Sequence, residues 1–198
     1  VEWDKFASEA LFVAFTINWL VECYRVLKDN SAAYVFWSQK NIELFYYIMQ
    51  TNPFKLHRQL IWHHPNKATP TNKAYLYTYD PIFVLHKGKP KMNASFSARE
   101  NVDVLTYAMP QSNFKDKRLH LCQKPLSLIK HLTKAYTKPN DTILDCFLGS
   151  GTTALACLEM DRNCIGCEID VDTYNIAMDR IDTFKKDEAN NLFNFKAR

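Results

Sequence analysis

Glycine is nearly absent from this chain, at 4 of 198 residues. That excludes a collagen or a glycine-rich linker. Three of the four (Gly149, Gly151 and Gly166) fall within 18 residues, and this concentration marks where a ligand can come up against bare backbone. Long apolar runs are also lacking. The longest, residues 10–24, is broken by Thr16, Asn18 and Glu22, too short and too polar to span a bilayer. No targeting segment is visible. The six cysteines carry no secretory pattern around them, so they read as reduced thiols and the chain as cytoplasmic, in a cytosol or nucleoid. No second cysteine pair accompanies Cys164-x-x-Cys167. On a strand, positions three apart face opposite ways, so no metal is expected. Nor is there a large excess of charge of one sign: 25 basic and 21 acidic residues give +4, compatible with nucleic acid without requiring it.

What is present is an ordinary globular composition, 47% hydrophobic and 23% charged, with a length suited to one α/β domain carrying an insertion. Apolar spacing predicts helices over residues 5–27 and 40–50 and a buried strand over 32–37. Two β-rich runs follow, at 56–63 and 82–86, around a Pro/Asn/Thr/Tyr-rich loop at 64–80. Residues 87–118 are the least regular, with seven basic residues against three acidic ones. From Pro125 onward helices and strands alternate (helix 125–136, strand 142–146, helix 152–160, strand 163–168, helix 171–186), the pattern of a parallel sheet with helical layers. The polar tail after Lys186 is expected to fray.

The stretch 141–170 is the most informative. A strand ends at Asp145, "CFLGSGTT" follows, then a helix, then a strand ending at Glu168. This is the arrangement of a nucleotide-type pocket at the C-terminal edge of a parallel sheet. Gly149 and Gly151 would admit a ligand to the backbone, and Thr152 and Thr153 open the helix. Three ligand classes compete. A phosphate loop needs a lysine before its Ser/Thr, and none is there. A dinucleotide site wants a third glycine, and Asp145 would repel a pyrophosphate. A ligand with an amino group and a ribose would welcome both Asp145 and Glu168, and S-adenosylmethionine fits that description. The bland alternative is a strand–turn–helix with no ligand.

"ILDCFLGSGTTALACLEMDRNCIGCEID" resembles the cofactor motif of amino-group DNA methyltransferases, L-D-x-F-x-G-S-G-T-T followed by R-x-x-x-G-x-E. "HLCQKPLSLIKHL" at 120–132 is similar to the H-x-x-Q-K-P segment preceding that motif, and "WDKF" (3–6), "YRVLK" (24–28) and "LIWHHPN" (60–66) match in order. With the cofactor motif C-terminal, the order is similar to the β-type circular permutation of the family. The resemblance implies a Rossmann-like S-adenosylmethionine-dependent sheet with helices on both faces. Asp145 would bind the methionine amino group and Glu168 the ribose hydroxyls. Phe147, Gly149, Ser150, Gly151 and Thr152 would shape the pocket, and Lys124 and Pro125 would lie at the methionine end. Trp62 and His63 sit where the family places residues near the flipped base, although a strand Trp is equally often core. Residues 1–86 are then the catalytic-side half, 87–118 an inserted target-recognition region, and 119–198 the cofactor-binding half. Lys115, Lys117 and Arg118 are expected to contact DNA phosphates.

The departure from the family is its catalytic tetrapeptide, D/N/S-P-P-Y/F. No P-P pair occurs in the sequence. "YDPI" at 79–82 lacks the second proline and the aromatic, and is rejected. The tetrapeptide is expected a few residues before Val1, on a central strand that this chain would be missing. The implied activity is methyl transfer to the amino group of a flipped base in double-stranded DNA, adenine N6 ahead of cytosine N4. The alternatives are a non-catalytic cofactor- and DNA-binding partner and, less favoured, an RNA base methyltransferase. A homodimer or a sister subunit is the expected protein partner. Cys122 in "LCQKP" lacks the proline that would precede a methyltransferase nucleophile, and His63–His64 has no neighbouring carboxylate for a metal.

Overall fold

The computed structural model describes residues 6–66, 75–93, 95–111, 119 and 122–196, residues 188–196 as backbone only. The chain forms two compact units. One comprises Val1–His63, Ala68–Met92 and Asn101–Thr106, the other His64–Lys67, Asn93–Glu100 and Tyr107–Arg198.

In the first unit, helix α1 (Glu9–Val26) is capped by Ser8, whose hydroxyl accepts from the Leu11 amide at 3.3 Å. This satisfies one of the amides a helix start leaves open. Asn30, left-handed at φ 58°, turns the chain into β1 (Ser31–Phe36), a conformation that asparagine tolerates better than most residues. A single 3-10 turn at Gln39–Asn41 precedes α2 (Ile42–Met49). Strands β2 (Lys55–His63), β3 (Tyr79–Lys87) and β4 (Val104–Thr106) complete a sheet of order β1-β3-β2-β4, antiparallel except for β2 with β4. β3 is flanked on both sides, and its residues from Pro81 to His86 are all buried. That is why residues 81–85 are continuously apolar rather than alternating. Leu20 of α1, Phe45 and Ile48 of α2, and Phe83 and Leu85 of β3 make the core. Phe45 stacks on Phe83 with centroids 3.8 Å apart. The YDPI residues begin β3 and sit in ladder register, Tyr79 opposite His63 and Asp80 opposite Trp62.

In the second unit, α3 (Leu126–Tyr136), β5 (Thr142–Asp145), α4 (Thr152–Glu159), β6 (Asn163–Gly166) and α5 (Val171–Lys196) follow in order. β5 and β6 pair in parallel, Asp145 opposite Gly166. The apolar face of α3 (Leu128, Ile129, Leu132, Ala135) and that of α4 (Ala154, Leu155, Ala156, Cys157) are buried. Lys130 of α3 pairs with Glu159 of α4 at 2.5 Å. Arg162 donates to the Thr137 carbonyl at 3.0 Å, fastening the turn before β6 to the end of α3.

The structure departs from the sequence reading in several places. Part of the irregular 87–118 region is built into the units. Val104–Thr106 is a strand. The Asn93 side chain donates to the carbonyls of Lys134 (3.2 Å) and Thr137 (2.5 Å) at the end of α3, and Glu100 pairs with Lys134 at 2.7 Å. β6 stops two residues short of Glu168 because the Cys167 amide bonds to the Asp145 carbonyl at 2.9 Å, passing the ladder into the loop. α5 runs through Lys196 instead of fraying at 186, since no Gly or Pro interrupts residues 187–196. Among the described residues, no strand pairs with the outer edge of β1 or the open edge of β5.

Candidate functional site

The site is the loop between β5 and α4 with the residues that follow β6, all within the second unit. β5 carries half-buried Asp145 to the strand's C-terminal end. Its Oδ1 accepts from the Phe147 amide at 3.0 Å, a local turn that fixes the carboxylate. Phe147 is 50% exposed. Leu148 donates to the Cys167 carbonyl at 2.8 Å, lashing the loop to the segment after β6.

The two loop glycines have different jobs. Both are left-handed, Gly149 at φ 56° and Gly151 at φ 81°. A Cβ on Gly149 would meet only the Phe147 carbonyl, at an ordinary contact distance of 3.9 Å, so nothing crowds this glycine. A Cβ on Gly151 would lie 3.0 Å from the Ala177 Cβ and 3.2 Å from its Cα. The expectation that both glycines admit a ligand is therefore corrected for Gly151, whose missing side chain is replaced by α5.

Glu168 closes the front of the loop. Its Oε2 accepts from the Gly149 amide at 2.8 Å and its Oε1 from the Asp170 amide at 2.9 Å. Each carboxylate oxygen has a second lone pair, so the group can hold the loop and still accept from two hydroxyls of a ligand. Ile169, beside it, is 87% exposed. The α5 helix begins at an aspartate cap, Asp170 Oδ1 accepting from the Thr173 amide at 2.8 Å.

Ser150 and Thr152 are 4% and 6% exposed. Their hydroxyls meet Arg180 of α5, whose Nη1 lies 3.1 Å from Ser150 Oγ and 3.3 Å from Thr152 Oγ1 and also donates to the Ser150 carbonyl. They shape the loop from behind and do not present hydroxyls at its open side. The sequence reading missed Arg180 and Ala177. The available signal was the row Thr173, Ala177, Arg180 along one face of a helix, two small residues and a long donor.

A family model described as a DNA methylase matches residues 1–179. The chain belongs to the DNA methylase family. Among curated proteins, the Type II methyltransferase M2.MboI of Moraxella bovis is 29% identical over 90% of this chain and 69% of its own length. M.HinfI of Haemophilus influenzae, also a Type II methyltransferase, is 30% identical over 93% of this chain and 55% of its own length. The chain thus spans roughly half to two thirds of those relatives. Among solved structures, the M1.HpyAVI–SAM complex superimposes with a TM-score of 0.73 at 26% identity, covering 85% of this chain and 83% of that one. The cytosine-N4-specific PvuII DNA methyltransferase gives 0.75 at 19% identity, covering 84% and 69%, a likeness of fold. The Rossmann-like methyltransferase fold expected from the motif order is the fold of this methylase.

The remaining expected site residues of the methylase fall as follows. Pro125 is buried at the N-cap of α3, where a fixed φ and a missing amide cost nothing. Lys124 donates from Nζ to the Cys122 carbonyl at 3.1 Å. In the first unit, Trp62 is 1% exposed and meets Phe36 edge-on. It is a core side chain, and the expected base contact finds no exposed ring face. His63 is half-buried at the end of β2, its Nδ1 3.3 Å from Thr106 Oγ1. His64, read as a loop or base contact, is buried at 1%. Lys115, Lys117 and Arg118 lie outside the described residues, as does most of WDKF.

The cysteines divide by direction. Cys164 of β6 turns inward and hydrogen-bonds with Cys157 of α4, a bond that raises the Cys157 thiol and lowers Cys164. Cys167 is exposed. Among the described residues no group of three His, Cys, Asp or Glu could hold a metal ion, and no helix is long and apolar enough to cross a membrane.

Proposed function

We propose that this methylase transfers a methyl group from S-adenosylmethionine to the exocyclic amino group of a flipped base in double-stranded DNA, adenine N6 in our reading. The observation that carries it is the open side of Gly149 between two carboxylates, Asp145 before the loop and Glu168 after it. These residues fit the cofactor. A ligand lying across Gly149 meets no side chain there. Asp145 suits a primary ammonium, and Glu168, oriented by two backbone amides, retains acceptor capacity for a ribose diol. M1.HpyAVI, similar over most of its length, has been solved as a SAM complex.

The cofactor supplies an electrophilic methyl group on a sulfonium. The chain's own task is positioning. Asp145 and Glu168 hold the two ends of the ligand, and the preformed loop keeps it from shifting along the strand edge. The target base leaves the helix stack and its amino nitrogen is brought to near-attack distance. That nitrogen would form its bond to the methyl carbon as the carbon–sulfonium bond breaks, releasing a neutral thioether, and the nitrogen's proton would pass to solvent. Residues 87–118 supply DNA contacts in this reading, with Lys115, Lys117 and Arg118 on phosphates. The chain acts in the cytoplasm or nucleoid, as a homodimer or beside a sister subunit.

The absence of a P-P pair from these residues favours a second reading, a cofactor- and DNA-binding partner that transfers nothing. The test is calorimetric titration with S-adenosylmethionine, paired with labelled-methyl transfer to DNA of mixed sequence. Both are run on the chain alone and with any residues encoded upstream of Val1 restored. Binding with transfer to adenine supports the proposal. Transfer to cytosine N4 replaces its target, and binding without transfer in either form selects the second reading. No binding in either form overturns both.

A further inference from the structure

We infer that Arg180 of α5 is a positioning residue for the cofactor loop: its guanidinium holds the Ser150 peptide so that the 149–152 backbone is in its binding conformation before any ligand arrives. This rests on reading that loop as the cofactor site.

Ser150 stands between two left-handed glycines, at φ 56° and 81°. Glycine on both sides gives a segment the widest choice of conformations and the most to lose on ordering. Something outside the loop must therefore fix it. Three tethers do so. Glu168 takes the Gly149 amide at 2.8 Å. Ala177 fills the space beside Gly151. Arg180 donates from Nη1 to the carbonyl and hydroxyl of Ser150, with Thr152 Oγ1 3.3 Å away. Glu168 is also the residue proposed to hold the ribose, so its tether is shared with the ligand. Arg180 reaches the loop from the α5 side, toward residues that are 4% and 6% exposed, and its hold is independent of the ligand.

Electrostatics argues that the hold is specific. Arg180 sits at the N-terminal end of α4, where the helix dipole disfavours a cation. Packing alone would be served better by a neutral side chain of the same length. A guanidinium persists there because the two hydrogens of Nη1 give charge-assisted bonds to the buried Ser150 carbonyl and hydroxyl, with Thr152 Oγ1 a longer contact at 3.3 Å, which an apolar chain cannot replace.

The experiment compares the wild-type chain with R180M, which keeps the apolar stem, and R180K, which keeps the charge. The readouts are calorimetric affinity for S-adenosylmethionine, thermal midpoint, and hydrogen exchange of the Leu148 and Gly151 amides. R180M is expected to weaken cofactor binding about tenfold, the equivalent of one charge-assisted bond of preorganisation. Its thermal midpoint should move by only a few degrees (about 2–4 °C per kcal/mol for a chain of this size), while the two amides exchange faster. R180K should recover most of the affinity. Wild-type affinity and unchanged exchange in R180M would overturn the inference, as would weakened binding that R180K fails to restore at a wild-type midpoint. If R180M does not fold, R180Q, which keeps a donor but not the charge or the reach, decides on the same readouts: weaker binding and faster exchange support the inference, and wild-type values overturn it. If the wild-type chain does not bind the cofactor, the functional reading fails, and amide exchange in R180M still decides whether Arg180 orders the loop.

Discussion

The two loop glycines are separable by a single methyl group each. In Gly151→Ala, the new Cβ lies 3.0 Å from the Ala177 Cβ and 3.2 Å from its Cα, on a residue that is fully buried. The contact is with a helix, not with a side-chain tip, so α5 itself must move. Overpacking of that kind costs about 1–3 kcal/mol, and the left-handed backbone at φ 81° adds about 1–2 kcal/mol for a residue with a Cβ. The total is about 2–5 kcal/mol, which for a chain of this size lowers the thermal midpoint by roughly 4–20 °C. In Gly149→Ala, the nearest atom is 3.9 Å away, so only the backbone cost applies, about 1–2 kcal/mol or roughly 2–8 °C. Its methyl group projects into the open side of the loop, and S-adenosylmethionine affinity should fall at least about tenfold. Thermal melts followed by calorimetric titration of the folded protein separate the two. A Gly151→Ala protein melting within about 2 °C of wild type would refute the close approach of α5. A Gly149→Ala protein binding cofactor as wild type would mean the ligand does not cross that glycine.

Other consequences can be tested with equal directness. Asp145→Asn preserves shape and removes the charge proposed for the ammonium, so cofactor affinity should drop by one to two orders of magnitude, roughly the worth of a charged hydrogen bond; an unchanged calorimetric constant would mean the pocket is misassigned. The Lys134 hydrogen bond, then the Ser97 amide, hold Glu100 down from 4.5 to about 2. A depressed carboxylate contributes stability above its unfolded value, so that contribution should fade as pH falls from 4.5 toward 2, and denaturant midpoints of Glu100→Gln should lack this acid limb. Burial, aided by His57 and Lys55, lowers His86 from 6.5 to about 4. The unfolded chain takes up this proton first, so stability should decline as pH drops from 6.5 toward 4; His86→Phe, stacked on His57 in its place, should flatten the slope. Alanine at Lys115, Lys117 and Arg118 together should reduce the salt dependence of DNA binding by about 0.9 in log–log slope for each phosphate left unneutralised, read by fluorescence anisotropy across a salt series.

Much of the molecule was determined locally. The strand-to-helix alternation after Pro125 was legible because each element there is short, amphipathic or continuously apolar, and bounded by turn residues. The acid–loop–acid spacing from Asp145 to Glu168 was legible because a strand, a helix and a strand of ordinary length fix how far apart their ends fall. Three kinds of fact were not. β4 could not be seen, because three residues carry too little periodicity and its pairing with β2 is a long-range event. Trp62 could not be assigned between core and base contact, because alternation along a strand gives two faces and does not say which one is covered. The division of labour in the loop was also hidden. Gly149 and Gly151 look alike in sequence and share a left-handed backbone, yet one is uncrowded and the other faces Ala177, while Ser150 and Thr152 turn toward Arg180. Which glycine is left uncrowded, and which is met by a helix, depends on where α5 lies after about 20 further residues of chain, and only the packed tertiary structure decides that.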